Sequence, residues 1–415
     1  MRLRIFIGIL FAGAVCTIAF AEQVEEKFPD GKVKLRYTLD DQQRKSGMFE
    51  EFFENGKHKT KAIYKADQLE GTSTEYHENG SPHIIATYKA GKLYGSYTEY
   101  NENGSKKLVA NYKDGKLNGT VSQFENGKLF LTQTFKDGEL VTARSAAQIK
   151  KKLAEIDPEH KGRYANDTAE REAALRRLKA YRYLAGVPYE NLALDSEMNS
   201  ACLAGAKLLE KLGKLDHTPP NPGLPEADYQ LGYKGTSHSN IAMGLGDLAK
   251  CVDGWMDDSD RGNIDRLGHR RWCINPAMQK TGFGRSGKYA CMWSFDNSQK
   301  QMPDYDFVAW PPKGLLPVEY FGGKEAWSVS FNTTKYKVNA SAVKANIYKT
   351  DASMAKGAAL KMDFFHVDNG GYGIPNCVIF RPEGADVAPG KRYLVEIEGV
   401  AATPVRYMVE FMKAD

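Results

Sequence analysis

The chain has 415 residues, long enough for two or three domains, and a formal net charge of +5, part of which sits on Arg2 and Arg4 at its start. A nearly neutral body of this length excludes the concentrated basic face that a nucleic-acid partner requires. Its lysines are spread along the chain, where they keep exposed strand edges soluble.

The first 21 residues read as a cleavable export signal. Arg2 and Arg4 form a basic head, residues 5–18 an apolar core, and Ala19-Phe20-Ala21 a small-x-small cleavage site. The apolar run is shorter than the ~20 residues that span a bilayer, and it leads to Ala-x-Ala rather than a basic stop. Val15 stands where a lipoprotein signal would place a small residue before Cys16. No later segment is apolar enough to span, so the expected location is secreted or periplasmic. In such a compartment Cys202, Cys251, Cys273, Cys291 and Cys377 can form two bridges and leave one thiol. The favoured pairs are Cys202 with Cys251 and Cys273 with Cys291, the latter on two runs read as strands, 271–274 and 289–292. Buried, unpaired cysteines acting as small apolar residues are the alternative.

Residues 22–141 repeat. Asn-Gly pairs begin at Asn55, Asn79, Asn103 and Asn126, aromatics recur at Tyr64, Tyr88, Tyr112 and Phe135, and glycines at Gly47, Gly71, Gly95 and Gly119. Each unit holds two turns, Glu-Asn-Gly and Lys-x-Gly-Lys-Leu, between alternating runs. Asn-Gly predicts type I′ hairpin turns, which need positive φ at both central residues. One hairpin buries no core, but stacked copies can share a Tyr and Leu face. The units 88–95 and 112–119 resemble the bacterial variant of the MORN repeat. That resemblance implies either a spacer or a surface for a cell-envelope or protein partner.

Residues 142–165 read as a linker with one short helix, ended by Asp157-Pro158. Asn166 then caps a helix with an acidic first turn that runs to about Leu184 and stops at Gly186 and Pro188. A second helix follows Asp195, with Met198, Cys202, Leu203, Ala206 and Leu209 on one face, and ends at Gly213, which delivers the chain to His217. Beyond residue 298, Trp310-Pro311-Pro312-Lys313-Gly314 reads as a stiff connector. Strands are expected at 327–331, 345–348, 377–381, 393–397 and 406–411, with turns at Asn369-Gly370-Gly371 and Pro389-Gly390-Lys391. This is the pattern of a β-sandwich.

Between them lie Leu215-Asp216-His217, Ser239-Asn240-Ile241-Ala242 (read as a turn), Trp255-Met256-Asp257-Asp258 and Gly268-His269-Arg270-Arg271-Trp272. With Gly186-Val187-Pro188 and Thr281-Gly282-Phe283-Gly284, these motifs make residues 166–298 resemble the CAP superfamily, which includes cysteine-rich secretory, venom-allergen and pathogenesis-related proteins. The resemblance implies an α-β-α sandwich with a cavity formed by His217, Ser239, Asn240, Asp258 and His269. Ser239 stands where that family usually has glutamate.

Two neutral imidazoles and a carboxylate can hold zinc with one position open. The separation of His217 and His269 does not by itself establish ligation, and ordinary surface or core histidines are the alternative. A serine neither neutralises a cation nor acts as a general base at neutral pH. Asp258, ahead of Asp257, is then the main acidic candidate, unless it lies on a solvated helix face. Ser239 as a nucleophile lacks a Gly-x-Ser-x-Gly elbow, and no His-Glu-x-x-His motif or phosphate-binding glycine loop occurs. Arg270 and Arg271 can bind an anionic headgroup or glycan carboxylate, or pair with nearby carboxylates and hold their loop.

The expected architecture is multi-domain: export signal 1–21, hairpin-repeat array 22–141, linker 142–165, α-β-α CAP domain 166–298 and C-terminal β-sandwich 299–415. The expected function, implied by the resemblance, is a non-enzymatic binding protein whose cleft takes a small lipid-like or glycan ligand. His217 and His269 are candidate ligands for a weakly held zinc ion. The alternatives are a zinc-dependent envelope hydrolase, with His217, Asp258 and His269 as catalytic candidates, and an adhesion protein whose CAP domain is structural.

Overall fold

The computed structural model describes residues 3–6, 22–159, 162–300, 303–350 and 356–414. The expected cleavage site at residues 19–21 lies outside the described residues. Among the described residues no helix is long and apolar enough to cross a membrane. The chain forms two compact units, one taking in Met1–Val141 and the other Thr142–Asp351 with Lys356–Asp415.

The first unit is one antiparallel sheet whose strands follow in chain order, hairpin after hairpin, from Glu22–Lys27 to Glu139–Leu140. Its type I′ turns are not at the first three Asn-Gly pairs. Paired positive φ values fall instead at Ala66-Asp67, Ala90-Gly91, Asp114-Gly115 and Asp137-Gly138, and at Asn126-Gly127. At residues 55–56, 79–80 and 103–104 only the glycine is left-handed. There the asparagine side chain accepts from the amide two residues on, as Asn55 does from Lys57 at 2.9 Å, so the Asx turn replaces the I′ geometry. Its amide also reaches the next repeat: Asn55 Nδ2 donates to the Glu78 carbonyl and Asn79 Nδ2 to that of Glu102, both at 3.0 Å. The most buried recurrent positions are Ala62, Ala86 and Ala110, each two residues before the half-buried Tyr64, Tyr88 and Tyr112 on the same strand face.

In the second unit, α1 (Ala146–Ile156) starts at a capping box between Ser145 and Gln148. Helix α2 (Asp167–Ala185) is capped by Asn166 and closed by left-handed Gly186, and α3 (Ser196–Leu212) by Asp195 and Gly213. Three more helices follow, α4 (Glu226–Ser237), α5 (Leu248–Asp257) and the short α6 (Gly268–Cys273). The central sheet orders Ser239–Met243, Tyr289–Trp293 and Phe283–Ser286. The Asn-Ile-Ala segment is therefore a strand, not a turn. Strand alternation divides the core. Tyr289, Cys291 and Trp293 pack with Cys202, Ala206 and Leu209 of α3, while Ala290 and Met292 join the core holding Leu178 of α2 and Trp255 of α5. Helix α4 lies so close to α3 that a Cβ on Gly235 would come 1.9 Å from the Ala201 carbonyl oxygen. That contact buries Ala201, Gly205 and Leu208, a wider face than the 3-4 pattern predicted.

This division explains the unpaired cysteines. Cys202 and Cys291 lie in the α3 layer, whereas Cys251 and Cys273 lie in the other core, so each expected bridge would have to cross the sheet. All five cysteines from Cys202 on are buried free thiols, and burial pushes Cys202 and Cys251 up to about 12. The run 271–274, read as a strand, instead contains the end of α6, whose amide-to-carbonyl bonds leave Cys273 no strand partner.

C-terminal to this, two sheets form. One orders Phe307–Trp310, Trp327–Phe331, Cys377–Pro382 and Met362–Asp368, the other Gly314–Pro317, Val405–Met412, Arg392–Glu398, Lys344–Thr350 and Lys356–Ala359. The Trp310–Gly314 connector joins strands of the two sheets. Trp327 of the first meets Tyr393 and Phe411 of the second at ring-centroid distances of 5.6 and 6.2 Å. The same apolar cluster continues into α2 and α5, where Tyr181 lies 5.5 Å from Trp310.

Two outcomes follow from this core. A chain beginning at Glu22 is expected to release five thiols to a thiol reagent on unfolding without reductant, and to protect them while folded. A count of one would restore the two-bridge reading. The second concerns Glu325, at the seam between α5 and the C-terminal strands, 3.8 Å from Arg270 Nη2. Burial lifts its carboxyl to about 8, against the pull of Arg270. The folded chain therefore keeps a proton that the unfolded chain releases above the ordinary 4.5. This contribution is fully present below 4.5 and is lost as pH rises through 8. Urea unfolding should show stability falling with pH in that window, by at most about 1.4 kcal/mol per pH unit for this group, and a flatter profile in Glu325→Gln. Equal slopes would show that the carboxyl is ionised throughout.

Candidate functional site

His217 follows α3 in the connection to α4. Its Nδ1 donates to the Thr236 carbonyl at 3.1 Å, and Thr236 Oγ1 donates back to the His217 carbonyl at 3.1 Å. A carbonyl only accepts, so this bond fixes the proton on Nδ1 and leaves Nε2 as an acceptor in the neutral ring. His217 keeps an exposed edge, yet the protein packed around the rest of its ring holds it below the ordinary 6.5. His269 and Arg266 push the same way, while the Thr236 carbonyl and Asp216 oppose them.

His269 is the second residue of α6. Its Nδ1 donates to Asp258 Oδ1 at 2.7 Å, and its backbone amide to Asp258 Oδ2 at 2.8 Å. Asp258 also accepts from the Arg270 amide at 3.3 Å, and its side chain is 1% exposed. It is not on a solvated helix face: it follows α5 as a left-handed cap, φ 47°, which turns its carboxylate inward. A second left-handed residue, Leu267 at φ 46°, immediately precedes α6. For leucine this conformation costs about 1–3 kcal/mol, and the buried contacts of its side chain with Ala326, Cys377 and Ile379 offset it.

Asn240 donates through Nδ2 to the His269 carbonyl at 3.0 Å, tying the sheet to α6. Ser239 is buried with its Oγ 3.5 Å from Cys202 Sγ. The two imidazoles lie 6.5 Å apart between centroids at 31°. They open with Ser239 and Asn240 onto one cavity of about 380 Å³. Of the residues expected there, Asp258 alone does not line it and acts behind His269. Arg270 and Arg271 do not line it either. They are buried, with guanidinium groups given mainly to the carbonyls of Met256, Asp257, Ala326, Arg266, Ile374 and Gly370, and with Asp368 paired to Arg271.

Seven cavity residues were not among those expected: Ser237, Asn263, Arg266, Phe295 and Tyr372, with Gly268 and Trp272 from the motif around His269. Tyr372 comes from the C-terminal strands, beyond the segment that carries the motifs. An aromatic set among glycines in Gly370-Gly371-Tyr372-Gly373 was the available signal for it.

Chemically, the described residues of the walls offer two imidazoles, hydroxyls, amides, one guanidinium and three aromatic rings, and no carboxylate. A zinc ion would find two nitrogens, each ring anchored from behind as ligating histidines usually are. The carboxylate expected beside the two imidazoles, Asp258, is already committed to His269 and α6. Among the described residues no group of three His, Cys, Asp or Glu side chains is disposed to hold a metal. The residues lining the cavity would give a zinc ion two protein ligands, with water completing its shell.

Helices paired on either side of a three-stranded sheet, with two histidines facing one cavity, define the class of the domain. Residues 175–294 match the cysteine-rich secretory protein family, CAP, and residues 45–66 and 69–90 match the MORN repeat variant. The chain thus carries a CAP domain preceded by MORN-variant repeats. It is similar to a solved extracellular protein containing a SCP domain from Bacillus anthracis str. Ames, at 13% identity over 66% of this chain and 84% of that one, with a TM-score of 0.24. No curated protein matches it.

Removing the charge that holds His269 tests the site. Asp258→Asn should fold yet lose about 1–3 kcal/mol in urea unfolding, because a buried charge-assisted bond is replaced by a mismatched amide. The His269 ring nitrogens should lose their single tautomer by nitrogen NMR. An unchanged tautomer would remove Asp258 from its orienting role.

Proposed function

We propose that this chain is an exported, secreted or periplasmic binding protein whose CAP-domain cavity holds a small organic ligand. The observation that carries this reading is the make-up of the walls: acceptors, donors and aromatic faces in one concave site, with no carboxylate among them. A zinc hydrolase would need a third protein ligand beside the two imidazoles, and the Asp258 carboxylate, which does not line the cavity, is spent on orienting His269. The repeats serve as spacer or envelope-facing surface, and the two C-terminal sheets as a β-sandwich that braces the cavity.

The zinc-dependent hydrolase remains the second reading because the His269–Asp258 pair, at 2.7 Å, has the carboxylate–imidazole geometry found behind zinc ligands. Calorimetric titration of zinc into the whole chain separates the two. Weak binding is expected, abolished in the His217→Ala, His269→Ala double variant and strengthened about tenfold or more in Ser239→Glu, which restores an anionic oxygen beside the two imidazoles. Tight stoichiometric binding by the unaltered chain, lost in the double variant, would favour the hydrolase instead.

A further inference from the structure

Among the described residues, the cavity walls contain no aliphatic side chain. Their apolar surface comes from Trp272, Phe295 and Tyr372, and their polar surface from imidazole, hydroxyl and amide groups. Trp272 and Phe295 stack at 4.5 Å and 26°, and Phe295 and Tyr372 remain 47% and 40% exposed. A hydrocarbon tail is not favoured by such walls, which offer flat faces edged by hydrogen-bonding groups. A sugar ring suits them, with C–H faces for the aromatic planes and hydroxyls for the imidazole acceptors.

Charge narrows the class further. Among the described residues, Arg266 is the one permanently charged side chain lining the cavity. Its guanidinium is held by Asn263 Oδ1 at 2.9 Å and by Asp265, which is 60% exposed, at 3.1 Å. Arg266 is itself 38% exposed, so part of the fork is open to an incoming anion.

Tyr372 is fixed rather than loose. A Cβ on Gly268 would lie 3.1 Å from its ring, as would one on Gly370, and the Arg271 guanidinium sits 5.4 Å from its centroid. Gly373 in turn lies against Trp272, where a Cβ would come within 3.0 Å of the indole. The glycines around Tyr372 thus seat this loop on α6, so that a residue from the C-terminal strands completes the CAP cavity with little ordering left for the ligand to impose.

We infer that the ligand is an acidic saccharide, its ring carried by Tyr372 and the Trp272–Phe295 pair and its carboxylate by Arg266. The inference rests on the cavity being a ligand site, as proposed above. Calorimetry of the whole chain tests it with three probes: a tetrasaccharide alternating glucuronic acid and N-acetylglucosamine, the neutral N-acetylglucosamine tetramer, and laurate. The acidic tetrasaccharide should bind at least about tenfold more tightly than the neutral one, and Arg266→Gln should erase that preference. Tyr372→Ala and Phe295→Ala should each weaken both saccharides about tenfold, while Tyr372→Phe keeps the stacking face and the affinity. Far-ultraviolet dichroism confirms that each variant is folded. Laurate binding alone, sensitive to His217→Ala, would overturn the saccharide assignment and leave the cavity reading standing. Failure of all three probes to bind the folded chain would overturn the saccharide assignment and withdraw support from the cavity reading. Saccharide binding indifferent to Arg266 and Tyr372 would also overturn the assignment.

Discussion

Arg270 and Arg271 stand on a six-residue helix between the CAP sheet and the C-terminal strands, both almost wholly removed from water. Removing a guanidinium from water costs several kcal/mol unless its donors are met. Here Arg270 meets the carbonyls of Met256 and Asp257 at the end of α5 and of Ala326 in the C-terminal region, and Arg271 meets Ile374, Gly370 and the Asp368 carboxylate. Neighbouring residues of one short helix thus tie down three separate stretches of chain. His269 precedes them, and its direction follows from theirs. Loss of either guanidinium would leave several buried carbonyls without a donor, so the clamp acts as a unit. Arg182 repeats the device deeper in the fold, donating to the carbonyls of Pro188, Cys273, Asn275 and Met278, where burial draws it down to about 10.

The local signals were readable because each is a short-range physical rule. Asn166 with Gly186 and Asp195 with Gly213 bound their helices because a side-chain acceptor and a left-handed glycine solve the same end problem in any fold. The C-terminal strand at 327–331 followed from its composition and flanking turns, and the observed strand Trp327–Phe331 has the same bounds. The misreadings arose where a distant contact decided. The run 271–274 carries strand-like residues, but the carbonyls that receive Arg270 and Arg271 lie up to 103 residues away and hold it helical. Neither the role of Asp258 nor that of Tyr372 could be read from spacing. The first depends on a left-handed cap that turns a carboxylate inward, the second on a glycine-lined loop arriving from another sheet. The repeats show the same limit on a smaller scale. Asn-Gly marked only one hairpin in each repeat, and at Asn55, Asn79 and Asn103 the side-chain oxygen, accepting from the amide two residues on, gave an Asx turn in place of the I′ turn.

The serine at position 239 has the widest chemical consequence. With a glutamate there, two neutral imidazoles would face an anion, a combination that attracts a divalent cation and supplies a base. With serine the cavity has no fixed negative charge, and its nearest permanent charge is the guanidinium of Arg266. Burial, helped by His269 and Arg266, disfavours the protonated form of His217, which keeps its Nε2 an acceptor near neutral pH. Where the imidazoles are neutral, their Nε2 atoms can accept from hydroxyl donors. The hydrogen bonds that orient both imidazoles are set within the fold, through Thr236 on one side and Asp258 on the other, which is the preorganisation that the proposed ligand site would use.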